Sequence, residues 1–391
     1  MALAEDVLSR LLQRGERAAL SGSARAIQER FAAAGSDYWR MTLSERDKAH
    51  ERFLDAEKAG AVELKWARQG GEDRPLEVVR LRDIDKLAAV LGAQTAATAF
   101  ARAGEVLAPW LASSQRVREV LERWGDLKNV RGLTPYTAVD FADALRVLDA
   151  AAASTDEDQI VRVLSARLFG NSKRIEQLVR HLDVLTGETL LSPARHWDEV
   201  LSPLGLVKEP QPFLVAGAGH LLLADGEECP VVQPFVGVSS KAITGFRGLP
   251  AWVLTIENLT PFHLAAQQHG VGQGLVIYTG GMPSPAWSRA YRSILASLPV
   301  DVPAYHWGDV DVGGFRIAAQ IRRHIVGDRS YLPWRMDASR QQAAREAGEG
   351  QSKEMVRQAK LAGWSNHITY PMATLQEQEQ LAICLPGFGS P

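Results

Sequence analysis

Only two of the 391 residues are cysteine, Cys229 and Cys384. They stand far apart and without metal-ligand spacing, which excludes a disulfide framework and a zinc–cysteine site and fits a reducing compartment. No apolar run approaches the roughly 20 residues needed to cross a bilayer, so a membrane-spanning helix is not expected. The N-terminal stretch MALAEDVLSRLLQRGERAAL carries acids and arginines through its apolar positions and therefore reads as an amphipathic helix, not a signal peptide. These absences together predict a cytoplasmic protein. An excess of charge is also missing. Lysine plus arginine number 44 against 46 acids, a net charge of -2, so any contact with nucleic acid has to come from local clusters. A Walker-type phosphate loop is absent as well. What remains is an ordinary globular balance, 46% hydrophobic and 23% charged, with enough length for two or three domains.

Taken in order, the first region reads mostly helical. Ser44 is placed to cap a helix over Glu45 to Ala59, with acids in its first turn and Gly60 as its stop. Two strand-like runs follow, AVELKWA and LEVVRL, joined by the hairpin-like loop RQGGEDRP. Helices followed by a hairpin with a basic tip predict a winged-helix-like segment, in which Arg68, Arg74, Arg80 and Arg82 lie on or near the wing and face phosphates. The alternative is a solvated hairpin that only packs on its helices. From Asp83 to Gly125 the pattern is helical and alanine-rich, with breaks at Pro109 and at Ser113 and Ser114.

In QIVRVLSARLFGNSKRIEQLVRHLDVLTG the helical pattern breaks at Gly170, and Asn171 or Ser172 can cap the next helix. Helix, glycine turn and helix with a basic start predict a helix-turn-helix, and the start of its second helix presents Ser172, Lys173 and Arg174 to DNA. Arg162, Arg167, Lys173, Arg174 and Arg180 read as a basic cluster unbalanced by nearby acids. An ordinary surface helix pair would look similar. A β-rich bridge from Pro212 to Leu249 then ends this domain or lays a layer beside the next.

The chemistry concentrates between Leu249 and Ile325. LPAWVLTIENLTPF, GLVIYTGG and VPAYHWGDVDVGGFRIAAQIRRHI read as a βαβαβα order. The first apolar run ends at Glu257 and the third at Asp309 and Asp311. Parallel strands share one carboxyl edge, so these three acids can converge although they are distant in the chain. Carboxylates with no lysine or arginine near them in sequence suit a divalent cation. Gly280 and Gly281 end the second run, and Gly308, Gly313 and Gly314 surround the two aspartates. A calcium loop is excluded, because its fifth and twelfth positions are occupied by Gly313 and Gln320. The plainer alternative is that the acids only cap the helices that follow.

An acid after strand one, glycines after strand two and Asp-x-Asp after a later strand resemble the Toprim fold of topoisomerases, primases and related nucleases. The wording ENLTPF, YTGG and HWGDVDVGGFRIAAQIR, with RLFGNSKRIE upstream and LQEQEQL near the C-terminus, is closer to one family. It resembles JetD, the nuclease subunits of the Wadjet anti-plasmid systems, over nearly the whole chain and most strongly from Leu164 to Glu379. The resemblance implies α/β plus α+β architecture. An N-terminal helical arm with a winged-helix-like segment would span residues 1–130 and a CAP-like winged helix-turn-helix 131–211. The β-rich bridge would cover 212–248, and a Toprim domain with a mainly parallel sheet 249–391. It further implies a homodimer acting with an SMC–kleisin complex on closed circular double-stranded DNA, in the bacterial cytoplasm at the nucleoid. Glu257, Asp309 and Asp311 would be the catalytic, metal-binding acids, with Glu377 and Glu379 as auxiliary ones, although the run that holds these two reads equally well as a solvated helix. Magnesium is the expected cofactor, with manganese able to substitute.

One departure from topoisomerase VI bears on mechanism. The Arg-Asp-x-Tyr-Tyr-like setting of its nucleophile does not occur here, and Tyr38 and Tyr136 have no distinctive surroundings. Hydrolysis by metal-activated water is therefore expected in place of a phosphotyrosine intermediate. Two other readings stay open at this stage: a non-catalytic DNA-binding adaptor with a vestigial acidic edge, and a topoisomerase-like or primase-like enzyme.

Overall fold

The computed structural model describes every residue except 1, 22, 24, 32–36, 70–73, 155–156, 337–344, 366–373, 379–380 and 388–391. The chain forms two compact units. One comprises Met1–Asp143 with Gly187–Ser192, the other Ala144–Thr186 with Pro193–Pro391. No helix among the described residues is long and apolar enough to cross a membrane.

The first unit opens with α1 (Ala2–Leu20), the expected amphipathic helix. Ala4, Val7, Leu8 and Leu11 are fully buried, the spacing of one helical face. A short strand, β1 (Gln28–Arg30), and a single turn, α2 (Asp37–Arg40), lead to α3 (Leu43–Lys58). Its cap is Thr42 and not the expected Ser44. Glu45 N–H donates to Thr42 Oγ1 at 3.3 Å while Thr42 N–H donates to Glu45 Oε2 at 2.9 Å. This reciprocal box satisfies two otherwise orphaned donors, which Ser44 could not do from inside the first turn.

The hairpin is present as β2 (Val62–Trp66) and β3 (Leu76–Leu81), and β1 joins it in the antiparallel order β1-β3-β2. Three charged or polar residues gave β1 no strand signal. The arginines assigned to this wing differ in state. Arg80 and Arg82 both reach Glu63 Oε2, at 3.3 and 2.8 Å, so the strand pairing neutralises them. Arg74 lies over the Trp66 ring at 5.9 Å, and Arg68 is exposed. Residues 70–73, the loop between them, lie outside the described residues. Three helices follow, α4 (Ile84–Val90), α5 (Ala96–Leu107) and α6 (Gln115–Gly125), capped by Asp83, Thr95 and Ser114; α5 and α6 divide at the expected breaks, while the division of α4 from α5 was not expected.

In chain order, α7 (Ala138–Ala152), β4 (Gln159–Ile160), α8 (Val161–Phe169), α9 (Arg174–Thr186), α10 (Trp197–Leu201) and β5 (Leu206–Val207) come next. Gly170 ends α8 at φ 66°, a left-handed conformation that glycine adopts without steric strain. Ser165 Oγ closes the turn, donating to Asn171 O at 2.6 Å and accepting Ile175 N–H at 3.1 Å. The helix-turn-helix is thus present. The expected wing is not: the two strands of this segment are two residues each and pair in parallel, and no hairpin occurs among its described residues.

The bridge supplies β6 (Pro212–Gly217), β7 (His220–Leu223), β8 (Glu228–Pro230), β9 (Val236–Ser239) and β10 (Ile243–Arg247). Then come β11 (Val253–Ile256), α11 (Leu259–Ala266), β12 (Leu275–Tyr278), α12 (Pro285–Ala296), β13 (Ala304–Trp307), α13 (Val312–Ile321) and β14 (Tyr331–Pro333). Short strands β15 (Arg345–Glu346) and β16 (Thr374–Leu375) pair with each other around α14 (Glu349–Leu361). The expected βαβαβα order is therefore found.

The main sheet is mixed, with order β14-β13-β11-β12-β6-β9. The block β14-β13-β11-β12 is parallel, while β6 and β9 extend it antiparallel. Two strands of the bridge thus enter the sheet itself, and β7, β8 and β10 make a separate antiparallel sheet. All four residues of β11 are buried, as expected for a parallel strand covered on both faces.

Candidate active site at the acidic sheet edge

β11 and β13 are in register, so Ile256 pairs with Trp307 and both strands stop at the same edge. Glu257 comes next on one strand and its N–H donates to Trp307 O at 3.0 Å, carrying the ladder one step further. On the other strand Gly308 turns the chain, and Asp309 N–H donates to Glu257 Oε2 at 3.1 Å. Glycine is required at 308. A Cβ there would stand 2.6 Å from Glu257 Oε2 and 3.0 Å from His306 Nε2. It is required at 314 too, where a Cβ would meet Asp309 O at 2.2 Å, because the start of α13 packs directly on the aspartate backbone.

Asp309 is held from two sides. Its carboxylate accepts Asn258 Nδ2 at 3.1 and 3.2 Å and Gln378 N–H at 2.6 Å. Gln378 is 1% exposed and makes two more bonds, accepting Asn258 N–H at 2.9 Å and donating to Trp307 O at 2.7 Å. Next to it, Val310 and Gln376 exchange backbone bonds at 2.8 and 3.1 Å. The glutamine-rich run is therefore a clamp across the acidic loop, not the solvated helix that its composition also allowed. Glu377 is exposed, and its charge reaches Asp309. Glu379 lies outside the described residues.

Asp311 has a second duty. Its Oδ1 accepts Gly314 N–H at 2.8 Å and caps α13, leaving its other oxygen uncommitted by that bond. Glu257 and Asp309 adjoin, while Asp311 acts on them by charge. No group of three His, Cys, Asp or Glu among the described residues is close enough to count as a formed metal cage.

A fourth carboxylate approaches from the helix-turn-helix segment. Asp198, on α10, has its Oδ2 3.1 Å from where a Cβ on Gly281 would be, and its charge acts on Glu257. Gly281 sits at φ 86°. The backbone at Gly281 thus runs close to the Asp198 side chain of α10. His196 Nδ1 contacts the other oxygen of Asp198.

The electrostatics follow from this crowding. Burial pushes the Glu257 carboxyl up to about 8, helped by the charge of Asp309 and more weakly by Asp311 and Asp198, with the Asp309 amide opposing. Burial also pushes Asp309 up to about 6, against the Gln378 amide and the Asn258 side chain, which favour its ionised form. Beneath them His306 is fully buried and held down to about 3 by desolvation. Its Nδ1 lies 2.9 Å from Thr255 Oγ1.

The basic residues assigned to DNA in the helix-turn-helix are not brought to one continuous patch by contacts. Arg162 pairs with Glu176 at 3.4 Å, so the cluster is not free of acids as expected. Arg167 donates to Gln159 Oε1 at 3.2 Å. Ser172, Lys173 and Arg180 are exposed, and Arg174 is partly buried at the start of α9. A cavity of about 450 Å³ beside Trp197 and Val161 belongs to this segment and not to the acidic edge.

Asn258, Gln378 and Asp198 were missed as site residues. Asn258 was in view as the neighbour of Glu257 in ENLTPF. Gln378 stood in a run whose composition suggested solvent. Nothing in sequence marks Asp198.

Comparison with known proteins agrees with the site. Residues 224–381 match the family model described as Wadjet protein JetD, C-terminal. The Wadjet protein JetD of Bacillus cereus (strain Q1) is 30% identical over 222 residues, covering 51% of each chain, so the chain spans about half the length of that relative. Through this C-terminal region, which contains Glu257, Asp309 and Asp311, the chain is similar to the JetD proteins of the Wadjet systems.

Proposed function

We propose that the chain is a metal-dependent, Toprim-like DNA endonuclease that makes double-strand breaks in closed circular DNA as a subunit of a Wadjet complex. The observation that carries this reading is the juxtaposition of Glu257 and Asp309, two carboxylates joined through one backbone bond and both raised, by burial first and then by the charges of neighbouring acids. An all-oxygen donor set of this kind fits magnesium, or manganese in its place. Glu257, Asp309 and the uncommitted oxygen of Asp311 would hold the ion, which when bound lowers the pKa of a water and offsets charge at the phosphate. Asn258 and Gln378 keep Asp309 ionised and oriented. Glu257, with its affinity for a proton near neutrality, is suited either to hold the ion or to accept the proton of the attacking water.

The described tyrosines favour hydrolysis over transesterification. Tyr136 donates to Gln94 O at 2.8 Å, and Tyr38 is buried with its hydroxyl shared between His50 and Leu76 N–H. Tyr278 feels the charge of Glu257, but burial and that charge push its hydroxyl up, the opposite of an activated nucleophile. One acidic edge cuts one strand, so the reading requires a two-fold homodimer to cut both. The exposed Lys173, Ser172 and Arg180 would contact flanking phosphates, and an SMC–kleisin complex would deliver the circle.

The test is cleavage of covalently closed plasmid by the chain with its Wadjet partner subunits in magnesium. Linear product that disappears with chelator and with Glu257→Gln supports the proposal. Protein retained covalently on the ends in a denaturing gel would contradict the water mechanism. Undiminished DNA binding with no nicking under any metal would identify an adaptor instead.

A further inference from the structure

The acidic edge has a donor-rich corner one strand away, on β14. β14 runs parallel to β13 and ends at Pro333, so Arg335 lies just past its carboxyl end, as Asp309 lies just past the end of β13. The loop is tied to the site at both flanks. Trp334 N–H donates to His306 O at 2.7 Å, and Gly308 N–H, immediately before Asp309, donates to Met336 Sδ at 3.3 Å. Between these ties Arg335 adopts φ 56°, a left-handed conformation that is costly for a residue with a long side chain. Its guanidinium stands over the ring of Trp307 at 5.8 Å.

Two features distinguish this arginine. The other buried or partly buried arginines of α13 and the turn after it are occupied: Arg316 by Glu199, Arg329 by carbonyl oxygens of Leu295, Leu298 and Val302, and Arg322 by Arg329 O. Arg335 has no carboxylate or carbonyl partner among the described residues, although the acids are one strand away. Beneath it, the indole N–H of Trp307 is buried and has no acceptor among the described residues. Strained backbone, a cation on an aromatic face and an unsatisfied N–H make a place that lacks an acceptor. The neighbouring carboxylates would repel an anion unless a cation lay between.

We infer that Arg335 is a phosphate-binding residue, which holds a non-bridging oxygen of the DNA backbone beside the acidic edge. The inference rests on the nuclease reading and adds the group that receives the anionic half of the substrate. A planar guanidinium can take two phosphate oxygens at once, and Trp307 limits its rotation to the plane above the ring. The left-handed backbone at Arg335 is then a positioning device, placing a side chain from the β14 loop over the ring of Trp307 at the end of β13.

The experiment compares wild type, Arg335→Gly and Arg335→Lys of the full chain. Glycine removes the guanidinium and suits φ 56°, so the fold is retained and thermal unfolding moves little or upward. DNA affinity is read by fluorescence anisotropy on a duplex in calcium, from 50 to 200 mM salt, and cleavage with the partner subunits in magnesium. We expect Arg335→Gly to weaken binding about tenfold, to lower the salt slope by about 1, and to reduce cleavage by 100-fold or more. Arg335→Lys keeps the charge and should recover affinity and slope but not the cleavage rate. If Arg335→Gly binds and cuts as wild type does, the assignment to Arg335 is wrong and the nuclease reading stands. If wild type neither binds nor cuts, the nuclease reading itself fails.

Discussion

The N–H of Asp309 donates to Glu257 Oε2 at 3.1 Å, so the loop after β13 sets the position of the acid that ends β11. Neither carboxylate is free to relax away from the other. This constraint connects metal binding, proton binding and stability in one small region.

Stability should therefore depend on pH through Glu257. Its carboxyl is raised to about 8 in the fold, above its ordinary value of about 4.3. The folded state then binds more protons than the unfolded one between these values, so the stabilisation is complete at low pH and is lost as pH rises toward 8. In chelator, the thermal midpoint should fall between pH 5.5 and 8, and Glu257→Gln should flatten this dependence. Magnesium should raise the midpoint more at pH 8 than at pH 6. A midpoint in wild type that tracks Glu257→Gln at every pH would refute the link.

Gln378→Ala removes two side-chain hydrogen bonds while keeping the backbone bond to Asp309, and leaves Asn258 N–H without its partner and Trp307 O with Glu257 N–H alone. Unfolding in urea should show a loss of about 2 kcal/mol. Titration calorimetry with manganese should show affinity reduced by roughly 10–100-fold, the usual effect of losing a group that orients a metal ligand. Unchanged manganese affinity would mean that the clamp does not orient Asp309.

Gly308→Ala places a methyl group 2.6 Å from Glu257 Oε2. The carboxylate has to move, at a cost of about 1–3 kcal/mol for overpacking. The variant should still fold by circular dichroism but lose plasmid cleavage. Cleavage at the wild-type rate would show that the site tolerates a displaced Glu257.

The ion pair between Glu199 on α10 and Arg316 on α13 is nearly buried, with side-chain exposures of 10% and 13% and contacts at 3.0 and 3.1 Å. Arg316→Met alone should destabilise by roughly 3–5 kcal/mol, because it strands Glu199 without its cation. Adding Glu199→Gln should recover much of that loss. A double-mutant cycle in denaturant measures the coupling, and additive effects would show that the pair acts independently.

The frame of the acidic edge was legible because its signals are local. Trp252 to Ile256 is a continuous apolar run, as a doubly covered parallel strand must be, and the acids follow the runs at once. The clamp was not legible, since Gln378 meets Asn258 across 120 residues and a glutamine carries no preference for such a task. Asp198 and Arg335 were hidden for the same reason: their roles depend on which elements meet, not on their neighbours in sequence. The missed cap at Thr42 is a smaller case, decided by the reciprocal bonds between Thr42 and Glu45. The wing that the resemblance implied for residues 131–211 is not found among the described residues, since β4 and β5 of that segment pair in parallel and form no hairpin.

The clamp by Gln378 also has a consequence in time. A ribosome that has finished Asn258 must add 120 residues before Gln378 exists, which takes roughly 6–24 s at ordinary synthesis rates. For that interval the emerging chain carries Glu257, and then Asp309, without the bonds that Gln378 adds. Premature stops between Asp311 and Gln378 would yield polypeptides bearing Glu257, Asp309 and Asp311 but lacking the clamp, so on the proposed nuclease reading aborted translation would not release an active product.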